Sequence, residues 1–241
     1  MSGHSKWNNI KHKKEKSDAA KAKIFTKIGK EMAVAIKAGG PDPNVNSKLR
    51  DLISKAKANN VPNENIQRTI KKFTDNNDVV YEEISYEGYG PSGVAVIVET
   101  STENRNRTAG NVRAWFNKYG GNMGQNGCVS YLFEEKGVIT IIDEDEEIDE
   151  DKIMEDSLEC GAEDIKCDDG EYKIDTDPLD LDSVRDAIIA LGYKIDTADL
   201  AKIPSTYVTL ESEEDIENME KMLDKFNEDD DVNAVFTNWD N

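Results

Sequence analysis

Histidine is nearly absent from this 241-residue chain: His4 and His12 are the only two, both at the very start. The remaining residues therefore lack the side chain most used for proton transfer near neutral pH. No G-x-S-x-G elbow, no H-E-x-x-H pair and no cysteine beside a sequence-adjacent base compensates for it. Cysteine is scarce too. Cys128, Cys160 and Cys167 form an odd set without the two-to-four-residue spacing of a zinc knuckle or redox pair, so they read as buried or reduced bystanders. Long apolar runs are missing: none exceeds the five residues of Val94 to Val98, far short of the roughly 18 residues that span a bilayer. The opening segment also lacks the apolar core of a signal peptide. These absences lead us to expect a cytoplasmic protein with no membrane partner, no metal, no cofactor and no catalysis.

Two motifs that suggest ligands weaken on inspection. GYGPSG at 88–93 matches G-x-G-x-x-G, but a strand follows it where a dinucleotide site needs the amides and dipole of a helix N-terminus. A tight loop with Pro91 fixing the turn accounts for it. The acidic run DEDEEIDED at 143–151 lacks the glycine and the ligand alternation of a calcium loop, and favourable charge at a helix start explains it.

Charge is abundant but unevenly placed. The chain carries a formal −20, yet residues 1–72 hold 17 Lys or Arg against 6 Asp or Glu, or +11, and the other 169 residues, with 13 bases and 44 acids, carry −31. One end is built to meet a polyanion, and the acidic remainder discourages loose binding of it. Screening over a Debye length of roughly 8 Å lets the two coexist.

Periodicity divides the chain. Ile24, Phe25, Ile28, Met32, Ala35 and Ile36 share one face of a helix that Ser17 or Asp18 caps and Gly39 stops. A second helix from about Asn46 buries Leu49, Leu52, Ile53 and Ala56, and a third from Pro62 buries Ile66, Ile70 and Phe73. Beyond residue 78 the pattern turns to strands: YEEISYE, VAVIVET, a helix over RTAGNVRAWFNKYGG, then VSYLFEE. From 137 a full β-α-β-β-α-β set follows, with a hairpin turning at Asp169 and Gly170, and the last stretch adds STYVTL, a helix and VNAVFTNW. The expected class is α+β: a basic three-helix domain, 1–78, followed by two α+β domains of the split β-α-β, ferredoxin-like kind. The third, 135–204, is inserted into the second, 79–134 plus 205–241.

The candidate site is the opening GHSKWNNIKHKKEKSDAAKAK. It mixes Lys6, Lys11, Lys13, Lys14, Lys16, Lys21 and Lys23 with the ring faces of His4, Trp7 and His12, a combination that contacts phosphates and stacks on bases. A merely solvated lysine-rich end is the plainer alternative. Arg105 and Arg107, in NRNRT at the start of a helix, offer a second phosphate contact, with solvated charge equally compatible. The glycine cluster GGNMGQNG, 120–127, reads as a helix stop and loop, or as a mobile loop able to enter an RNA crevice.

Several separated blocks, MSGHSKWNNIKHKK, KIFTKIGKEM, NNVPNENIQRTIKK, YEEISYEGYGPSGVAVIVE, NRNRT and GCVSYLFEEKGVI, make the chain resemble the YebC family over essentially its whole length. The resemblance implies three domains with the third inserted, nucleic-acid binding and no known catalysis. The family's members are described as probable transcriptional regulators, with relatives that activate mitochondrial translation, and more recent views place the family on the ribosome. Where relatives often carry arginine in the first helix, this chain has Lys13, Lys14 and Lys21, point charges without a bidentate fork. Two readings of function follow. The favoured one is a monomeric translation factor docking on ribosomal RNA and aiding synthesis of difficult sequences. The alternative is a DNA-binding transcriptional regulator whose helices 46–59 and 62–73 mimic a helix-turn-helix, with Asn65, Gln67 and Arg68 toward bases. No zipper or other dimer signature supports paired half-sites.

Overall fold

The computed structural model describes residues 18–75, 80–143, 148–168 and 170–240, leaving aside the side chains of 18–21 and 58. By their internal contacts the chain divides into two units, residues 133–205 and the described parts of 2–132 with 206–241.

The larger unit begins with helices α1 (Asp18–Gly39), α2 (Ser47–Ala58) and α3 (Asn63–Asp75). Their apolar stripes meet in one core of Ile28, Met32, Ala35, Ile36, Leu49, Leu52, Ala56, Ile66 and Ile70. The stop after α1 is Gly40 rather than Gly39: its φ of 83° is the left-handed turn that glycine takes freely, and its amide returns to the Ile36 carbonyl at 2.8 Å. Asn46 joins the first two helices. Its buried side chain caps α2 through the Leu49 amide at 3.1 Å, and it donates to the Ala35 and Gly40 carbonyls at 2.8 and 2.7 Å. A capping residue here also satisfies the unpaired end of the preceding helix. Asn60, with φ 58°, turns α2 into α3, and Val61 closes the turn on the Ala56 carbonyl at 3.0 Å. Gly29, buried within α1, has room for a methyl, since an added Cβ would meet Thr69 Cγ2 at 3.8 Å. Gly29→Ala is expected to raise stability by up to about 1 kcal/mol, read as a higher urea midpoint with an unchanged slope.

The same unit continues with β1 (Glu82–Tyr89), β2 (Ala95–Thr102), α4 (Arg105–Lys118) and the short β3 (Asn122–Met123). The second unit runs through β4 (Phe133–Ile142), α5 (Glu150–Glu159), β5 (Asp164–Asp168), β6 (Glu171–Thr176), α6 (Leu181–Ala190) and β7 (Thr197–Pro204). The chain then returns to the first sheet with α7 (Glu213–Glu228) and β8 (Val232–Thr237). The sheet orders are β3-β1-β2-β8 and β5-β6-β4-β7, antiparallel throughout. Tyr86, Val96 and Val98 of the first sheet pack against Val112 and Phe116 of α4 and Met219, Met222, Leu223 and Phe226 of α7. Ile139, Ile141, Tyr172 and Ile174 of the second sheet pack against Ile153 of α5 and Val184 and Ile188 of α6.

Two expected strands are corrected. VSYLFEE does not pair as one strand: Ser130–Leu132 form a 3-10 turn, and the strand that starts at Phe133 belongs to the inserted sheet. The Val129 and Ser130 amides, which a ladder would need, are taken by the Glu87 carboxylate. STYVTL contributes only an isolated parallel bridge from Val208 to Trp239. The first sheet gains instead β3, inside the glycine cluster, which pairs with Gly88 and Tyr89. The turn residue Asp169 and residues 144–147 of the acidic run lie outside the described residues. Because residues 133–205 hold a complete set of sheet and helices with their own core, that fragment is expected to unfold in one cooperative thermal transition. A fragment without a transition contradicts its autonomy.

Candidate nucleic-acid interface

The lysines of α1 do not share one fate. His4, Lys6, Trp7, Lys11, His12, Lys13, Lys14 and Lys16 lie outside the described residues, and the Lys21 side chain is not described. Lys23, Lys27 and Lys30, spaced four and three apart and so on one face of the helix, reach the end of α7. Their ammonium groups donate to the carbonyls of Glu228 at 2.6 Å, Asn227 at 3.0 Å and Asp230 at 2.8 Å. The last carbonyls of a helix lack internal partners and sit at the negative end of its dipole, so cations are favoured there. These three lysines fasten the helical domain to the first sheet's helix layer.

At the centre of this contact is Asp231, 4% exposed. Its carboxylate accepts from Lys30 at 2.6 Å, from Arg107 and Thr108 at 2.8 Å each, and from Thr102 at 3.2 Å. Burial alone would raise its pKa, but the donors, Lys30 foremost, outweigh that and hold it at about 2. Arg107, though exposed, is therefore paired within the protein, with Glu103 also near at 3.7 Å. Arg105 differs: it is exposed at the first turn of α4, where Asn104 caps the helix through the Arg107 amide at 3.1 Å. The sequence brings the two arginines together, and the structure gives them different neighbours.

Cations that face solvent among the described residues include Lys37, Arg50, Lys57, Arg68, Lys71 and Lys72. Gln67, Arg68, Lys71 and Lys72 recur at helical spacing on the exposed side of α3, with Arg68 lightly tied to Glu64 at 3.1 Å. Asn65 is half-buried on the same helix. Side chains of this kind can contact phosphates, and carboxamides and guanidinium groups among them can pair with a base edge.

The glycine cluster is held, not loose. Glu87, 6% exposed, accepts from the amides of Gly127 at 2.8 Å and of Val129 and Ser130 at 2.9 Å each. Burial works against ionisation of Glu87, but these donors prevail and keep its pKa below the usual range. Nothing in the sequence marked Asp231 or Glu87: one sits in an acidic run, the other in an alternating strand. Among the described residues no helix is long and apolar enough to cross a membrane, and no group of three His, Cys, Asp or Glu side chains could hold a metal ion.

Comparison with known proteins agrees with this architecture. Residues 5–76 match the TACO1/YebC protein N-terminal domain, and residues 81–239 match the TACO1/YebC second and third domain. A protein of Agathobacter rectalis is 54% identical over 241 residues, covering all of both chains, and one of Acetivibrio thermocellus is 53% identical over 240 residues, covering 99% of both. Each is named a probable transcriptional regulatory protein. The crystal structure of a conserved hypothetical protein from Aquifex aeolicus superposes with a TM-score of 0.84 at 42% identity, covering 92% of this chain and 91% of that one.

Proposed function

Because the chain belongs to the TACO1/YebC family, we propose that it is a non-enzymatic, nucleic-acid-binding regulator of gene expression, acting as a monomer that meets DNA through its helical domain. The observation that carries this reading is the +11 gathered in residues 1–72 of a chain that is −20 overall. The names of the relatives support a role in transcription. So does the tight α2–α3 turn at Asn60, which presents Gln67, Arg68, Lys71 and Lys72 on the exposed side of the following helix.

A second reading, a translation factor on ribosomal RNA, draws on one feature of its own. The opening segment offers lysines interleaved with Trp7, His4 and His12, which bind phosphate and stack without reading base edges bidentately. Crosslinking in cells followed by recovery of the bound nucleic acid separates the two. Enrichment of particular chromosomal segments is the expected result. Recovery of ribosomal RNA alone, with co-sedimentation on ribosomes at moderate salt, replaces transcription by translation.

A further inference from the structure

Residues 119–133, YGGNMGQNGCVSYLF, contain no charged side chain, in a chain of which 33% of residues are charged. Tyr119 and Val129 anchor this stretch in the core, and other parts of it are displayed at the surface. Gln125 and Asn126 are exposed, Tyr131 is 72% exposed and Tyr89 is 37% exposed. Tyr89 also donates to the Cys128 carbonyl at 3.0 Å, which fixes its ring against the loop.

The loop is also built to stay in place. Glu87 spends both carboxylate oxygens on three of its amides, and the Gly124 amide donates to the Glu87 carbonyl at 2.8 Å. Gly124 is required by packing, since a Cβ there would lie 2.5 Å from the Cys128 sulfur. Gly121 is as tightly placed, with the Tyr89 carbonyl 2.5 Å from where its Cβ would be. A buried acid satisfied by backbone amides is a costly way to shape an exposed loop, and it positions the side chains that the loop carries.

We infer that Tyr89, Gln125, Asn126 and Tyr131 form a binding site for unstacked bases of a single-stranded nucleic acid. The inference rests on the reading that this protein binds nucleic acid. Tyrosine rings offer stacking faces that any base can use, and carboxamides carry both donor and acceptor for base edges. At Gly127, where an added Cβ would meet nothing within 4 Å, the backbone is open to close approach. With no lysine or arginine in the stretch, the contact is to bases and not to phosphates. It therefore has a signature that the basic domain lacks: its loss weakens binding without changing the salt dependence.

The test titrates the full chain and its Tyr131→Ala variant with a labelled single strand of about ten nucleotides, as RNA and as DNA, and with the matching duplex, at several salt concentrations. One lost stack corresponds to a loss of roughly 5- to 150-fold in single-strand affinity. The expected result is a loss in that range, with an unchanged slope against salt and unchanged duplex binding. Because Tyr131 is largely exposed, the variant should keep the parent's thermal transition, and the double variant Gln125→Ala, Asn126→Ala gives an independent reading of the same site. Unchanged single-strand affinity in both variants overturns the base site while leaving nucleic-acid binding intact. A wild-type chain that binds none of the three ligands overturns the proposed function and this site with it.

Discussion

Replacing Lys11, Lys13, Lys14 and Lys16 with glutamate is expected to flatten the salt dependence of nucleic-acid binding by about 3 in the slope of log K against log salt. Each phosphate contact contributes about 0.7 to 0.9 through release of condensed counterions, and four are removed. Between 50 and 200 mM salt the wild-type affinity should then fall about 60-fold further than that of the variant. The structure explains why Lys23, Lys27 and Lys30 are left out of this substitution. Lys23, Lys27 and Lys30 are already spent on carbonyls at the end of α7, so glutamate at those positions would undo a domain contact before it touched a ligand. An unchanged slope in a variant with an unchanged thermal transition removes the opening segment from the interface.

Asp231→Asn is expected to be strongly destabilising. It leaves the Lys30 ammonium, 13% exposed, facing no opposite charge at that position, and loss of one partner of a buried pair costs about 3 kcal/mol. Arg107 adds less because it is 47% exposed and water screens it. For a unit of this size the melting temperature should drop by roughly 10 °C. The same residue sets an acid limit. Its folded pKa of about 2 lies below the unfolded value of 3.8, so its contribution, about 2 kcal/mol, is present above pH 4 or so and is lost as pH falls toward 2. Wild type and variant should therefore converge in stability in acid. A constant gap between them down to pH 2, measured by denaturant titration, contradicts the assignment.

Much of the fold could be read from periodicity, because the elements that bury a regular apolar face announce it. The Ile28-Met32-Ile36 stripe of α1 and the β-α-β-β-α-β run from Gly137 are of this kind. What stayed hidden is set by tertiary partners. VSYLFEE has the composition of a strand, yet Glu87, more than forty residues upstream, claims two of its amides and bends it into a turn. STYVTL is equally strand-like, but Val208 exchanges hydrogen bonds only with Asn238 and Asp240. The site shows the same limit more sharply. Lys30 and Lys37 lie on one helix and look alike in sequence, but one is locked to Asp231 and the other faces solvent. Composition located the basic domain, and only coordinates divide its described lysines into those that hold the domain and those that face solvent.

The central claim is that this acidic protein binds nucleic acid through its basic end. Titration of the full-length protein with a non-specific DNA duplex, repeated from 50 to 200 mM salt, tests it most directly. Five lysines precede the helical core, Lys6, Lys11, Lys13, Lys14 and Lys16, and if each neutralises a phosphate the slope of log K against log salt should lie near −4 or be steeper. Binding with a slope shallower than about −1, or no binding at the lowest salt, contradicts the claim.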